Sequence, residues 1–519
     1  MHSRIILGVG ILGLVGCGVF GSDDTSTPPA AAPAPPGSDP VAAADGGLPE
    51  GAPPASVGTP MPDELTSEFG VFVTTTGTAD GDGTKEHPLL TIAAGIDKVK
   101  DLKLRVYVCA GTYAESLTLV NAVSVIGSLG CDGGVWTPTG GRSILNAPTS
   151  PAVRAKDIAL ATRFEGFDVT APAGTAAAPN SIALIAENAP MLTVAKSKLT
   201  SAKAFDGADG TDGVQLTLSA TAKGQDGRPN SGTFFPVPLK PIPHQPGGAG
   251  GVGTCLGAAG HDGESGGAGG NAATYRCVPG AVVAGNQLYT WTQLSGYTRS
   301  DGATGTQAKG AAGTDGTSAT AIGAFSADGY TPAPGTAGTD GAPGKGGSGG
   351  NGSTIVPVGC QSSENGSYVS EESGGGGGSG GCPGLAGAVG GGGGASIAAL
   401  VFSSPGLALV TSDLIAGAGG NGGKGTFGSV WTAGGNAGIA PINTTQPSPG
   451  GPGGRAGFSG NGAGGPSIAL AYTGGAVNVA PDTHTTPGSA GAGVAVRTNI
   501  LSVTIPASVS GPSMPVFQF

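Results

Sequence analysis

Arg163, Glu165 and Asp168 place a base and two carboxylates within six positions, a set able to move protons at a glycosidic or acidic carbon. They alternate with Phe164 and Phe167 at strand spacing, so the three charges read as solvated outward positions flanking buried rings, and no catalytic residue is assigned. Asp80 and Asp82, in the turn-rich GTADGDGT of residues 77–84, are weak calcium candidates. Asp-Gly is also a turn dipeptide that needs no ion, and it recurs at Asp209, Asp212, Asp315 and Asp340, where a turn is the simpler expectation. Calcium is therefore the one cofactor considered, and none is assigned. CxxC and closely spaced histidine pairs are absent, and His2, His87, His244, His261 and His484 are scattered, which disfavours a metal centre.

The elements that must position these groups begin with an exported N-terminus. Arg4 precedes an apolar run, Ile5 to Val15, too short to span a bilayer as a mature helix, so residues 1–16 read as a signal peptide. Leu14-Val15-Gly16-Cys17 resembles the bacterial lipobox. That resemblance implies acylation of Cys17, a membrane partner through the lipid and, with Gly18 rather than aspartate following, outer-membrane localisation on the cell surface or facing the periplasm. Residues 17–64, with TPPAAAPAPPGSDP at their densest, read as an extended tether.

Export makes disulfides the natural reading of Cys109, Cys131, Cys255, Cys277, Cys360 and Cys382. They fall as Cys109/Cys131, Cys255/Cys277 and Cys360/Cys382, each pair 22 positions apart. Six cysteines allow fifteen pairings, and the short-range set is the simplest expectation. Glycine supplies 104 of 519 residues, only 11% are charged, and the net charge is −11, which argues against nucleic acid as a partner.

Residues 181–210 and 396–425 repeat one unit at a constant offset of 215: Ser181/Ser396, Ile182/Ile397, Pro190/Pro405, Leu192/Leu407, Ser197/Ser412 and Leu199/Leu414 coincide. A weaker copy starts at Ser467. Leu89, Ile92, Ala93, Ile96 and Val99 fall at helical spacing, and only short alternating runs follow, from Val106/Val108 to Leu199. Short strands without intervening helices suit a coiled parallel sheet.

The opening stretch carries G-T-x-x-x-P-L-x-T-I (83–92), V-x-V-x-x-G-T-Y-x-E (106–115) and V-x-V-I-G (123–127), and it resembles the start of pectate-lyase-like right-handed β-helix proteins. The resemblance implies an all-β, right-handed parallel β-helix with a short N-terminal capping helix, and it implies fold without activity. The expected organisation is a β-helix N-terminal part at 65–206, a glycine-rich insert at 207–394, a coil at 395–417, a second glycine-rich insert at 418–465 and C-terminal coils at 466–519. Within the inserts glycine recurs every third residue, as at Gly335, Gly338, Gly341, Gly344, Gly347 and Gly350. That phase suits polyglycine II packing within the chain, similar to that of certain glycine-rich antifreeze and phage adhesin proteins. Flexible disorder is the alternative. Aromatic residues in FFPVPLKPIP (234–243) and QLYTWTQLSGY (287–297) are expected to dock the inserts onto the β-helix.

Lyases of this fold need calcium-binding carboxylates and a basic proton acceptor, and hydrolases need close aspartates; no Trp-x-Asp-His, Asp-Asp-x-Gly-His or Arg-x-Lys cluster is present. The sequence therefore points to a non-enzymatic, lipid-anchored surface protein, structural, adhesive or in contact with extracellular polysaccharide or envelope proteins. An atypical or degenerate polysaccharide lyase or hydrolase is the alternative.

Overall fold

A computed structural model describes residues 59–138, 141–233 and 245–519. The chain is largely β, with one α-helix among the described residues, α1 (Ile92–Val99). Three parallel sheets dominate. The first contains Gly70–Thr78, Arg105–Cys109, Val125–Gly130, Thr162–Glu165, Leu192–Ala195, Ala408–Val410 and Asn478–Val479. The second contains Thr112–Tyr113, Ser143–Asn146, Phe167–Thr170, Lys198–Thr200, Asp413–Ile415 and His484–Thr486, and the third Leu117–Leu119, Val153–Lys156, Ser181–Glu187, Ser396–Phe402, Ser467–Thr473 and Ser513–Gln518. From Arg105 onward the chain visits first, second and third sheets in rotation.

The repeats at offset 215 are stacked neighbours: Ser181 pairs with Ser396 and Ile182 with Ile397, and Ser396 pairs in turn with Ser467. Left-handed corner residues recur at the same offset, Asn188 with Ser403 and Lys196 with Thr411.

Val106, Val125, Leu145, Phe164, Phe167, Leu184, Leu192, Leu199, Leu409 and Leu470 fill the space between the sheets. Helix α1 closes this core with Ile92, Ile96 and Val99 against Val71, Val73 and Val106. Thr91 caps it by accepting the Ala94 N–H at 3.2 Å. Two outer faces are also covered, which explains why Arg105–Cys109 and Ser181–Glu187 read as continuous apolar runs rather than alternating ones. Leu65 and Trp136 pack on Phe72, Tyr107 and Ile126 outside the first sheet. Tyr330 and Phe325 pack on Ile182, Ile397 and Ile468 outside the third.

The glycine-rich residues form extended segments hydrogen-bonded at every third residue. The tract 374–381 shows the rule. N–H groups of Gly374, Gly377 and Gly380 donate to Gly270, Gly267 and Glu264, and the carbonyls of Gly374 and Gly377 accept from Gly248 and Gly251. Gly378 and Gly381 donate to Ser448 and Gly451, and the carbonyls of Gly375, Gly378 and Gly381 accept from Gly350, Gly347 and Gly344. Gly376 and Ser379 donate to Gln225 and Ala222 and accept from Gly438 and Gly435. Three residue phases, each with one donor-side and one acceptor-side neighbour, surround the tract with six segments. A Cβ on Gly377 would lie 2.2 Å from the Gly347 oxygen, one on Gly378 1.9 Å from the Gly435 oxygen, and one on Gly376 2.0 Å from the Ala249 oxygen, so each phase of the inner tract has a position that requires glycine, while Ser379 is accommodated in the phase of Gly376.

At the rim, side chains take over as acceptors. Asp209 accepts the Lys424 N–H, Asp340 the Ala386 N–H and Asp315 the Phe458 N–H, at 2.8, 2.7 and 3.2 Å. These Asp-Gly pairs, with Asp212-Gly213, lie in extended tracts, which corrects the turn reading. Glycine faces inward, and three of the preceding aspartates cap a neighbouring backbone.

The disulfides are Cys109–Cys131, Cys255–Cys382 and Cys277–Cys360. Only the first has the expected spacing of 22, and the pairings Cys255/Cys277 and Cys360/Cys382 are corrected. The extended tract 263–270, roughly 25 Å long at about 3.1 Å per residue, lies between Cys255 and Cys277 in the chain. The Cys255–Cys382 bridge instead crosses between segments packed side by side.

Candidate functional site

A cavity of about 320 Å³ opens on the first sheet, lined by Thr59, Ser128, Arg142, Glu165, Lys196 and Thr411 among others. Glu165 ends the strand Thr162–Glu165 and is only 2% exposed, contrary to the outward, solvated position expected from alternation. The correction has a physical cause: cations and a hydroxyl compensate the buried charge. Arg163 Nε donates to Glu165 Oε2, Lys196 Nζ lies 3.0 Å from Oε1, and the Thr59 hydroxyl donates to Oε1 at 2.6 Å. Lys196 Nζ also donates to Thr59 Oγ1 at 2.6 Å. Lys196 reaches this position from a corner at φ 45°, one of the left-handed residues repeated along the stack.

Burial disfavours ionisation of Glu165, but hydrogen bonds from Thr59, Arg163 and Lys196, with the Arg163 charge, outweigh it and hold the carboxyl below its usual range. A carboxylate so engaged stays ionised and is a weak base. What this arrangement does chemically is grip a hydroxyl, and here that hydroxyl belongs to the chain itself. Thr59 begins a segment that continues along the first sheet: Glu64 pairs with Arg105 at 3.3 Å, and the Tyr107 hydroxyl donates to the Glu64 carbonyl at 2.7 Å.

Asp168 is not part of this cluster. It lies on the second sheet, in a register row Asp168, Lys198, Asp413, His484 on four successive strands, with Arg142 3.8 Å from Asp413. The opposite charges of Asp168, Lys198 and Asp413 along this row favour the strand pairing.

A second buried carboxyl was not anticipated. Glu371 follows the strand Tyr368–Ser370, is 6% exposed, and its Oε1 has no hydrogen-bond partner. Burial pushes its pKa up to about 7, against the opposing charge of Arg299 and a hydrogen bond with Tyr275. A glutamate within a glycine-rich segment carries no sequence signal for burial, because its covering comes from distant tracts.

Asp80 is exposed. Asp82 is exposed too and closes a local turn, accepting the Thr84 N–H and hydroxyl at 2.9 and 2.7 Å; these bonds lower its pKa. Among the described residues no group of three or more His, Cys, Asp or Glu side chains could hold a metal ion. Cys17 and residues 234–243 lie outside the described residues. Tyr289 and Trp291 stay within an antiparallel hairpin, and Trp291 Nε1 donates to the Gly359 carbonyl at 3.0 Å. The aromatic contact between the glycine-rich insert and the third sheet is made by Phe325 and Tyr330, with Phe325 stacked on Phe519 at 4.6 Å between centroids. Comparison with family models, curated proteins and solved structures finds no match.

Proposed function

We propose that this chain is a non-enzymatic, lipid-anchored surface protein whose three rotating parallel sheets form a right-handed β-helix and whose glycine-rich inserts form a polyglycine II bundle carried on it. The observation that carries the reading is the inner tract 374–381, bonded to six neighbouring segments through all three residue phases. A fold that spends so much of its chain on backbone-to-backbone packing is suited to a stiff projection for adhesion or envelope structure. The ionised, triply engaged Glu165 supports a holding role in the cavity over proton transfer. The proposed attachment is acylation at Cys17, supported by the lipobox-like Leu14-Val15-Gly16-Cys17; no helix among the described residues is long and apolar enough to cross a membrane.

The test incubates the purified chain with acidic and neutral polysaccharides, with and without calcium, and follows both retention on the polymer and new reducing or unsaturated ends. Retention or inertness without new ends is the expected result. New ends abolished by Glu165→Gln would replace this reading with the degenerate lyase or hydrolase alternative. Fatty-acid labelling that survives Cys17→Ser would remove the anchor.

A further inference from the structure

The hairpin formed by Thr274–Val283 and Asn286–Gln293 leaves the glycine-rich body, its base fixed by the Cys277–Cys360 disulfide. Every residue from 279 to 288 is exposed. Its tip carries Val282 at 62% exposure, Val283 at 55% and Leu288 at 51%. The Gln287 side chain, exposed, lies along the hairpin and donates to the Gly280 and Leu288 carbonyls. Half-buried Tyr289 and Trp291 follow immediately below, and beside Trp291 the segment before Cys360 exposes Val358 almost completely.

Residues 277–298, which make up most of the finger and its exit, carry no charged side chain. Arg276 and Arg299 flank that stretch: Arg276 is exposed beside the Tyr368 ring, and Arg299 pairs with Asp301 at 3.1 Å. Glu364, in the turn packed against the second hairpin strand, directs its carboxylate to the Gln361 N–H at 2.7 Å. A narrow convex finger is poorly shaped for a specific protein interface, which needs about 800 Å² on each partner. An uncharged apolar tip, an aromatic level below it and the exposed Arg276 beyond match the depth profile of a bilayer surface with anionic headgroups.

We propose that this hairpin is a membrane-contacting finger: Val282, Val283 and Leu288 enter the interfacial layer of an anionic phospholipid bilayer, with Tyr289 and Trp291 at headgroup level. The contact is independent of Cys17, so it is tested in the full chain carrying Cys17→Ser. Flotation with vesicles of phosphatidylethanolamine and phosphatidylglycerol is measured, together with quenching of tryptophan fluorescence by bromolipids. The expected result is flotation and quenching, with quenching removed by Trp291→Phe and flotation lowered at least about tenfold by V282D/V283D. L288D, on the opposite strand, gives the same loss and guards against misfolding, which the Cys277–Cys360 bond and the unfolding midpoint report. Absence of flotation, or flotation unchanged in both variants, overturns the proposal. So does concentration-dependent self-association that the same variants abolish, because it assigns the finger to a second copy of the chain.

Discussion

Glu115 and Ile92 are 23 residues apart in sequence and joined in space: Glu115 Oε1 accepts the Ile92 N–H at 2.8 Å, and Oε2 accepts the Ala93 N–H at 2.9 Å. One carboxylate thus satisfies two of the free donors at the start of α1 and places negative charge at the positive end of its dipole. Glu115→Ala is expected to lower the stability of the chain by about 1–2 kcal/mol in urea unfolding. Glu115→Gln should retain part of that. Equal stability in all three proteins would refute the capping role.

Gly377→Ala places a methyl group against a backbone oxygen that belongs to another packed segment. The expected cost is about 3 kcal/mol or more, read as early proteolysis and loss of amide protection in the glycine-rich region. Gly141→Ala, where the nearest atom to the added carbon is 4.0 Å away, is the matched control and should leave both unchanged.

Non-reducing proteolysis and mass spectrometry should recover linked peptides containing Cys255 with Cys382 and Cys277 with Cys360. Recovery of Cys255 with Cys277 would contradict the side-by-side packing of the tracts.

The raised Glu371 pKa fixes the sign of a pH effect. Between the ordinary value of 4.5 and about 7 the folded chain holds a proton that the unfolded chain has released, so stability falls as pH rises through that window. The fall is at most about 3 kcal/mol. Glu371→Gln should flatten this part of the profile and be the more stable protein above pH 7. A profile identical to the parent would show that Glu371 is not the group responsible.

Glu165 has the opposite sign. Its lowered pKa means that its contribution is present above the unfolded value and fades as pH falls through the folded one. Glu165→Ala leaves Arg163 and Lys196 facing an empty position and removes the acceptor of the Thr59 hydroxyl, which keeps its bond from Lys196. The expected loss is about 1–3 kcal/mol, reduced because Lys196 is half exposed, with faster protease cleavage near Thr59. Unchanged cleavage would mean that the segment is held elsewhere.

The repeat at offset 215 was legible because stacked strands share one environment, so Ser181 and Ser396, or Leu199 and Leu414, face the same selection of size and polarity. The threefold glycine phase was legible because close backbone approach excludes every side chain. The burial of Glu165 was not, since its lid is Thr59, from the end of a proline-rich segment without apolar periodicity. Two disulfides were misread because the adjacency of extended tracts depends on which distant segments pack together, and no local pattern encodes that choice. The docking aromatics were misplaced from Tyr289 and Trp291 to Phe325 and Tyr330 for a similar reason: both pairs sit in short hairpins, and only the neighbour differs.

The in-register pairing of Ser181–Glu187 with Ser396–Phe402 also sets a clock. At roughly 5–20 residues per second, the partner strand emerges from synthesis on the order of 10–40 s after the first. During that interval Ile182, Leu184 and Ile185 present an unpaired edge that is apolar on both faces, a template for any other extended chain. Closing the intervening loop costs about 5 kcal/mol in chain entropy before the first bond forms. A nascent chain of this design needs a shield for that edge until residue 402 arrives, and its yield should depend on how quickly the second half is supplied.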